Sequence, residues 1–128
     1  MFTLEQLNEV HDRLGRGESL AQYVKALHAL GVETYDSYIL DGHSEYFGKS
    51  GHTVISPPAH EMLPIANTSD KETFLTHLNL HNQGKTSYLE MSKGLADSGI
   101  EKWTVDTKNM TMTFYNKLED EVFAETIS

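Results

Sequence analysis

Apolar residues recur at helical spacing, give way to alternation, and then the whole cycle runs a second time. Leu4, Leu7, Val10 and Leu14 stand three or four apart, which puts them on one face of a helix. Thr3-x-x-Gln6 at its start is a capping-box pattern, and Gly15 and Gly17 end the stripe. Ser19-x-x-Gln22 opens a second helix carrying Leu20, Tyr23, Val24, Leu27 and Leu30, closed by Gly31. From Val32 onward β-branched and aromatic residues alternate with polar ones, predicting strands near 32–39, 43–47 and 52–56. Asp41-Gly42 and Gly48-Lys49-Ser50-Gly51 separate them, and glycine accepts the positive φ that hairpin turns require. Ser69-x-x-Glu72 and Ser87-x-x-Glu90 start two further helices, ended by Gly84 and Gly99. Strands near 100–106, 110–115 and 121–127 follow, with turns at Lys108-Asn109 and Lys117-Leu118-Glu119.

Sliding the chain against itself by 68 positions superposes the two cycles without a gap. Ser19/Ser87, Lys25/Lys93, Leu27/Leu95, Gly31/Gly99, Glu33/Glu101, Lys49/Lys117 and Val54/Val122 are identical. Val32/Ile100, Tyr35/Trp103, Tyr46/Phe114 and Phe47/Tyr115 keep their character. The expected fold is α+β, an internal duplication of an αα-βββ unit, with antiparallel strands and helices packed on the sheet. Each unit alone is about 60 residues, a size at which burial is marginal. Residues 1–128 therefore read as a single domain of two repeats, about 1–56 and 69–128, sharing one interior. All three prolines fall in 57–68, so this stretch reads as a connection rather than a strand. Met62, Leu63 and Ile65 make it apolar enough to lie packed on the domain.

Composition narrows the function classes. The formal charge is −9, from 19 acidic and 10 basic side chains. Such a surface repels phosphate backbones and anionic lipid, so neither nucleic acid nor membrane is an expected partner. There is no cysteine, which removes disulfide and thiolate chemistry. No apolar stretch approaches the roughly 20 residues of a membrane span, and the first residues lack a signal-peptide layout. The cytoplasm is the expected compartment. Protonating the 7 histidines would take the charge from −9 to −2, so self-repulsion is expected to fall below about pH 6.

Several residue groups invite a chemical reading, and each has a plainer one. His77-x-x-x-His81 places two imidazoles on one helix face, but Phe74 and Leu78 share that stripe and zinc needs three or four ligands. His43, His52 and His60 sit in turns and in the proline-rich connection, where Asp41 and Glu61 can complete a nitrogen–oxygen cluster. Gln83-Gly84-Lys85-Thr86 resembles the tail of a phosphate loop, yet Asn79 stands where a glycine is needed. Glu33 and Glu101 can face one another across a pseudo-twofold seam, or simply occupy solvent-side strand positions. Ser50 and Ser98 lack the surroundings of a nucleophile elbow. Finally, Tyr38, Tyr46, Thr111, Thr113 and Tyr115 put aromatic and hydroxyl groups on strand positions that the helices need not cover. Such a face can bind a partner or a second copy of the chain.

Thr3-Leu-Glu-Gln6, Asp41-Gly-His43, Gln83-Gly-Lys-Thr86-x-Tyr88 and Gly99-Ile-Glu-Lys-Trp103-x-Val-Asp106 together resemble the YdfO/YbcV-like proteins. These are short bacterial and prophage proteins treated as a domain of unknown function and sometimes labelled phage envelope protein. The resemblance spans the whole chain, implies a duplicated α+β fold, and brings no catalytic residues and no cofactor. The expected function is a small non-catalytic binding or protein-interaction module acting on an unknown protein partner or on itself. The alternative is a small-molecule or metal-dependent enzyme or binder using His43, His52 and His60, with Tyr46 beside them.

Overall fold

The computed structural model of the protein describes residues 2–14 and 20–127. Its elements are helices α1 (Leu4–Leu14) and α2 (Leu20–Leu30), strands β1 (Thr34–Tyr38), β2 (Ser44–Phe47) and β3 (Thr53–Ile55), helices α3 (Lys71–Asn82) and α4 (Tyr88–Asp97), and strands β4 (Ile100–Asp106), β5 (Thr111–Asn116) and β6 (Glu121–Thr126). A short 3₁₀ turn, Lys49–Gly51, joins β2 to β3. The protein is an α+β fold with four helices and one antiparallel six-stranded sheet.

Local hydrogen bonds explain where most helices begin. The Thr3 amide donates to Gln6 Oε1 at 2.9 Å and the Gln6 amide returns to Thr3 Oγ1 at 3.3 Å. Ser87 and Glu90 form the same reciprocal box on α4. The cap of α3 is not Ser69 but Asp70, whose carboxylate accepts from the Thr73 amide at 3.2 Å and its hydroxyl at 2.9 Å. The Asp70 amide is tied to Ser98 O at 2.9 Å, and this contact with the end of α4 fixes which of two adjacent capping residues is used. The expected end of α1 at Gly15 and Gly17, and the Ser19 cap of α2, lie outside the described residues.

The sheet order is β3-β2-β1-β4-β5-β6. Asp36 pairs with Thr104 at the centre of β1–β4, flanked by Tyr35↔Val105 and Ser37↔Trp103. Since 104 − 36 = 68, the central pairing maps onto itself under the shift found in the sequence. Tyr35↔Tyr46 in β1–β2 likewise becomes Trp103↔Phe114 in β4–β5. Positive φ recurs at the same spacing, at Gly31 and Gly99, Gly42 and Met110, and Gly51 and Glu119. The outer pairs differ: β5–β6 carries a bulge between Phe114 and Tyr115, whereas β2–β3 keeps an even register.

Alternation gives the sheet two unlike faces. Tyr35, Ser37, Tyr46, Trp103, Val105, Met112 and Phe114 share one face and are all buried. The helices lie over it: Phe74 of α3 stacks on Phe114 with ring centres 4.8 Å apart, and Tyr23 of α2 meets Tyr35 at 6.4 Å. Leu7, Val10, Val24, Leu27, Leu78, Met91 and Leu95 join them in one buried cluster. Tyr38, Lys102, Thr104, Thr111, Thr113 and Tyr115 occupy the opposite, open face. Tyr46 was expected with them, but its pairing with Tyr35 turns it under the helices.

Residues 57–68 pack onto the domain. The Ala59 and His60 amides both donate to Asp41 O, the Leu63 amide donates to Leu40 O and the Ala66 amide to Ala96 O, and Ile65 is buried. Gly42 makes this approach possible, because a Cβ there would fall 2.9 Å from Ala59 Cβ and 2.8 Å from the His60 ring.

Candidate functional site

Helix spacing sends Leu7 and His11 of α1, and Leu20 and Tyr23 of α2, toward the first half of the sheet. There they do not close on it. A cleft of about 670 Å³ remains, within the usual size for a small-molecule site. Its far wall is Tyr35 and Ser37 of β1, Ser44 and Tyr46 of β2, and Trp103 and Met112 of β4 and β5. Ser56 through Ala59 form its rim. A smaller hollow of about 230 Å³ beside Leu63, Lys93 and Asp97 lacks aromatic walls.

Small hydroxyl residues stand on the sheet side of the cleft. Ser37 and Ser44 are direct cross-strand partners, and their hydroxyls lie 2.9 Å apart. Sixty-eight positions on, the corresponding partners are Val105 and Met112, both buried. Tyr46 corresponds in the same way to Phe114, and Tyr23 to Met91. Four polar positions around α2, β1 and β2 are thus apolar in the other half. The Ser44 amide donates to Ser56 Oγ at 2.8 Å, which ties the rim to the serine pair.

Aromatic rings line the rest. The His11 and Tyr23 ring centres are 6.0 Å apart, and Tyr35 and Tyr46 lie 5.4 Å apart at 32°. Trp103 is buried to 8% exposure, and its indole N–H has no hydrogen-bond partner among the described residues. A buried N–H left in that state costs about 1–3 kcal/mol, so its retention calls for a reason. No Asp, Glu, Lys or Arg appears among the described lining residues.

Of the residues singled out from sequence, only Tyr46 lies in the cleft. His43 belongs to the open face, stacked on Tyr38 with ring centres 4.5 Å apart and planes within 5°. Its Nδ1 lies 2.5 Å from Asp41 Oδ1 and its Nε2 3.4 Å from Glu45 Oε2. Burial works against the imidazolium, but the two carboxylates outweigh it and hold the His43 pKa above its ordinary value. Asp41 moves the other way: burial opposes ionisation, and hydrogen bonds from His43 overcome that and lower its pKa. His52 sits at the other end of β2, its Nε2 2.8 Å from Phe2 O and its ring edge-on to the Phe2 ring. His60 packs against Gly42, with Nδ1 2.7 Å from Glu61 O. The three histidines are therefore not gathered at one point, since His43 and His52 are separated by the length of a four-residue strand.

The other candidates resolve similarly. The Glu33 carbonyl accepts from the Thr107 amide and the Glu101 carbonyl from the Ile39 amide, which places the two glutamates at opposite ends of the β1–β4 pair. Their separation is about 20 Å at ~3.3 Å per residue, too far to share a proton. His77 packs on Gly94 of α4, where any Cβ would collide with its ring. His81 Nδ1 lies 3.2 Å from Thr86 O across the helix-to-helix turn. Among the described residues no group of three or more His, Cys, Asp or Glu is placed to hold a metal ion.

The open face has its own order. His43, just before β2, and Tyr38, Lys102 and Tyr115 on β1, β4 and β5 form a row, the Lys102 ammonium 5.8 Å from the Tyr38 ring centre and 5.5 Å from that of Tyr115. Burial, followed by the charges of Glu45 and Asp36, pushes the Tyr38 phenol up to about 12. In the next row Thr104 Oγ1 donates to Asp36 Oδ1 at 2.6 Å.

Residues 8–126 match a protein family described as "Protein of unknown function (DUF1398)". The chain belongs to this DUF1398 family. The matched span holds both faces of the sheet and every described cleft residue except Leu7. No curated protein matches this DUF1398 chain. No described helix is long and apolar enough to cross a membrane.

Sequence reasoning passed over Tyr23, Ser37, Ser44, Ser56 and Trp103 as site residues. A signal was present at the 68-residue offset, where Ser37 and Ser44 fall opposite the apolar Val105 and Met112.

Proposed function

We propose that this protein is a small non-catalytic binding module whose ligand occupies the cleft between α1, α2 and the first half of the sheet. One observation carries the reading: the hydrogen-bonded Ser37–Ser44 pair and the Trp103 ring line an open cleft, where the positions 68 residues later carry the apolar Val105 and Met112. Holding polar groups around a void costs stability, and binding sites are where proteins accept that cost. The test is a thermal-melt screen against a broad metabolite set. A ligand specific for the native state raises stability by about 2.7 kcal/mol at a hundredfold excess over Kd. If no compound raises the melting temperature of the wild-type chain, the reading fails.

A second reading, association through the open face, rests on the Tyr38–Lys102–Tyr115 row. Its occupant is an unknown protein partner or a second copy, and sedimentation showing a strict monomer that captures nothing counts against it. A metal-dependent activity on His43, His52 and His60 has less support, because His52 stands at the opposite end of β2 from His43; a divalent-metal melt series tests it. We further propose that the two αα-βββ segments are copies of one ancestral unit fused over a common interior. The β1–β4 register centred on Asp36 and Thr104 supports this. A relative carrying a single unit that dimerises in that register would strengthen the case; one whose unit pairs by another strand would weaken it. The resemblance to YdfO/YbcV-like proteins adds a prophage association to the proposal, and the composition of the chain adds a cytoplasmic setting.

A further inference from the structure

We infer that the cleft is built for an uncharged, planar aromatic or heteroaromatic molecule bearing a hydrogen-bond acceptor, a carbonyl oxygen or ring nitrogen. This rests on the binding reading above and adds the chemical class. Three features of the cleft converge on it.

The first is charge. The chain carries −9 overall, yet no formally charged side chain stands among the described lining residues. A carboxylate or phosphate entering would lose its hydration and find no counter-charge, within a protein whose field already opposes it. An ammonium would be drawn toward the protein, but inside the cleft it would meet no carboxylate either.

The second is shape. Tyr23, Tyr35, Tyr46 and Trp103 present rings rather than flexible chains, and aromatic pairs prefer offset or edge-on contact with another flat ring. A rigid planar guest meets such walls with little loss of rotational freedom, whereas a floppy aliphatic guest pays for each rotor it fixes.

The third is hydrogen bonding. The Trp103 ring stands in the cleft wall but its indole nitrogen is itself covered, so the donor left for a guest is a serine hydroxyl. Of the two hydroxyl hydrogens in the Ser37–Ser44 pair, one is spent between the oxygens and the other remains. A neutral hydroxyl donor beside aromatic walls selects a neutral acceptor.

The chain contains a single tryptophan, so its indole N–H gives one cross-peak in a nitrogen–proton correlation spectrum. Wild-type protein is titrated with coumarin as the neutral planar acceptor, 2-naphthoate as a charged planar control, and 2-decalone as a neutral non-planar one. Coumarin is expected to shift the Trp103 indole peak saturably, together with the amides of Ser44 and Tyr23, while the two controls bind at least about tenfold more weakly. Ser37→Ala with Ser44→Ala keeps the rings and removes the hydroxyl donor, and is expected to weaken coumarin by about five- to tenfold. Ser37→Val with Ser44→Met fills the space and is expected to abolish the shift. If 2-naphthoate or 2-decalone perturbs the same amides as strongly as coumarin, the class assigned here is wrong while the binding reading stands. If neither these probes nor a broad fragment set moves any cleft resonance, both fall. Should the double alanine variant not fold, the wild-type comparison of the three probes still decides.

Discussion

Replacing Ser37 and Ser44 together by the residues found 68 positions later, Val and Met, tests whether the cleft is space the fold leaves open. Ser37 is buried to 6% exposure, and the only partner of its hydroxyl among the described residues is Ser44 Oγ, 2.9 Å away. Ser44→Met alone orphans the Ser37 hydroxyl at a cost of about 1–3 kcal/mol. That roughly cancels what a newly buried thioether gains. Ser37→Val alone is milder, because Ser44 is half-buried and water can reach it. The double change leaves no orphan. It gives up one hydrogen bond worth a net ~1 kcal/mol. It adds two methyls from valine and a methylene, sulfur and methyl from methionine, about 3–4 kcal/mol at ~0.8 per group as an upper bound. Fixing the methionine rotamers takes back about 1.5–2 kcal/mol. The net is a stabilisation of about 1 kcal/mol, or a rise of roughly 3–5 °C in Tm for a chain of this size. A double-mutant cycle by urea denaturation should show a coupling of about 1–2 kcal/mol, with the double variant above the sum of the singles. Additive singles would show that the hydroxyls do not depend on each other. A double variant less stable than wild type by the ~1–3 kcal/mol typical of overpacking would show that the space is not there.

Other outcomes follow from single contacts. The His43 pKa is raised, so its contribution is full below about pH 6.5 and is lost as pH climbs through the raised value; that of Asp41 is lowered, so its contribution is present above about pH 4 and is lost as pH falls through the lowered value. His43→Gln should therefore cost most stability near pH 5–6 and least at pH 8, and a cost independent of pH in urea melts contradicts the pairing. Gly99 has φ +83° and an added Cβ would strike Thr68 O, whereas Gly31 at φ +106° has only the Phe2 ring 3.8 Å away. Gly99→Ala should cost over ~3 kcal/mol and Gly31→Ala about 1–2; equal melting temperatures would refute the close approach of residues 68–69. Thr104→Val removes a hydrogen bond to the Asp36 carboxylate and should cost about 1.5–3 kcal/mol by denaturant titration, with Thr113→Val on the neighbouring strand near zero. Amide hydrogen exchange should be slower in α4, β4 and β5 than in α1 and β3; equal protection would contradict a looser first half.

What the sequence makes legible here is what short-range physics decides. The boxes at Thr3/Gln6 and Ser87/Glu90 close within three residues, and their hydrogen bonds need nothing else from the fold. Ser69 and Asp70 are adjacent and both competent to cap. The choice between them rests on Ser98, almost thirty residues away, which no local pattern reports. Tyr46 and Phe47 are both aromatic, so alternation cannot say which one faces the helices, and the pairing of Tyr46 with Tyr35 does. The histidines draw the eye as chemistry, but His43 is held by Asp41 and Glu45, and His52 by Phe2. The cleft lay hidden for the opposite reason. Serine on a strand reads as surface, and nothing near Ser37 in the chain says that a helix roofs it.

The two halves share element order and inner register but not the way their interiors are filled, and that difference bears on function. Around β4 and β5 the covered face carries Val105, Met112 and Phe114, with Phe74 stacked above. Around β1 and β2 the same positions carry Ser37, Ser44 and Tyr46, and α1 and α2 leave a void. Buried polar side chains occur in the second half too, at Ser92, Ser98 and Thr107, so what sets the halves apart is the covered sheet face and the void over it. The central β1–β4 pair joins them, with Trp103 of β4 standing in the cleft wall. On this view Trp103 does two jobs. Its ring belongs to the core that stabilises the sheet, and it also forms part of the cleft wall. A variant that fills the cleft should therefore gain stability and lose binding together, and a chain that gained one without losing the other would separate the two roles joined here.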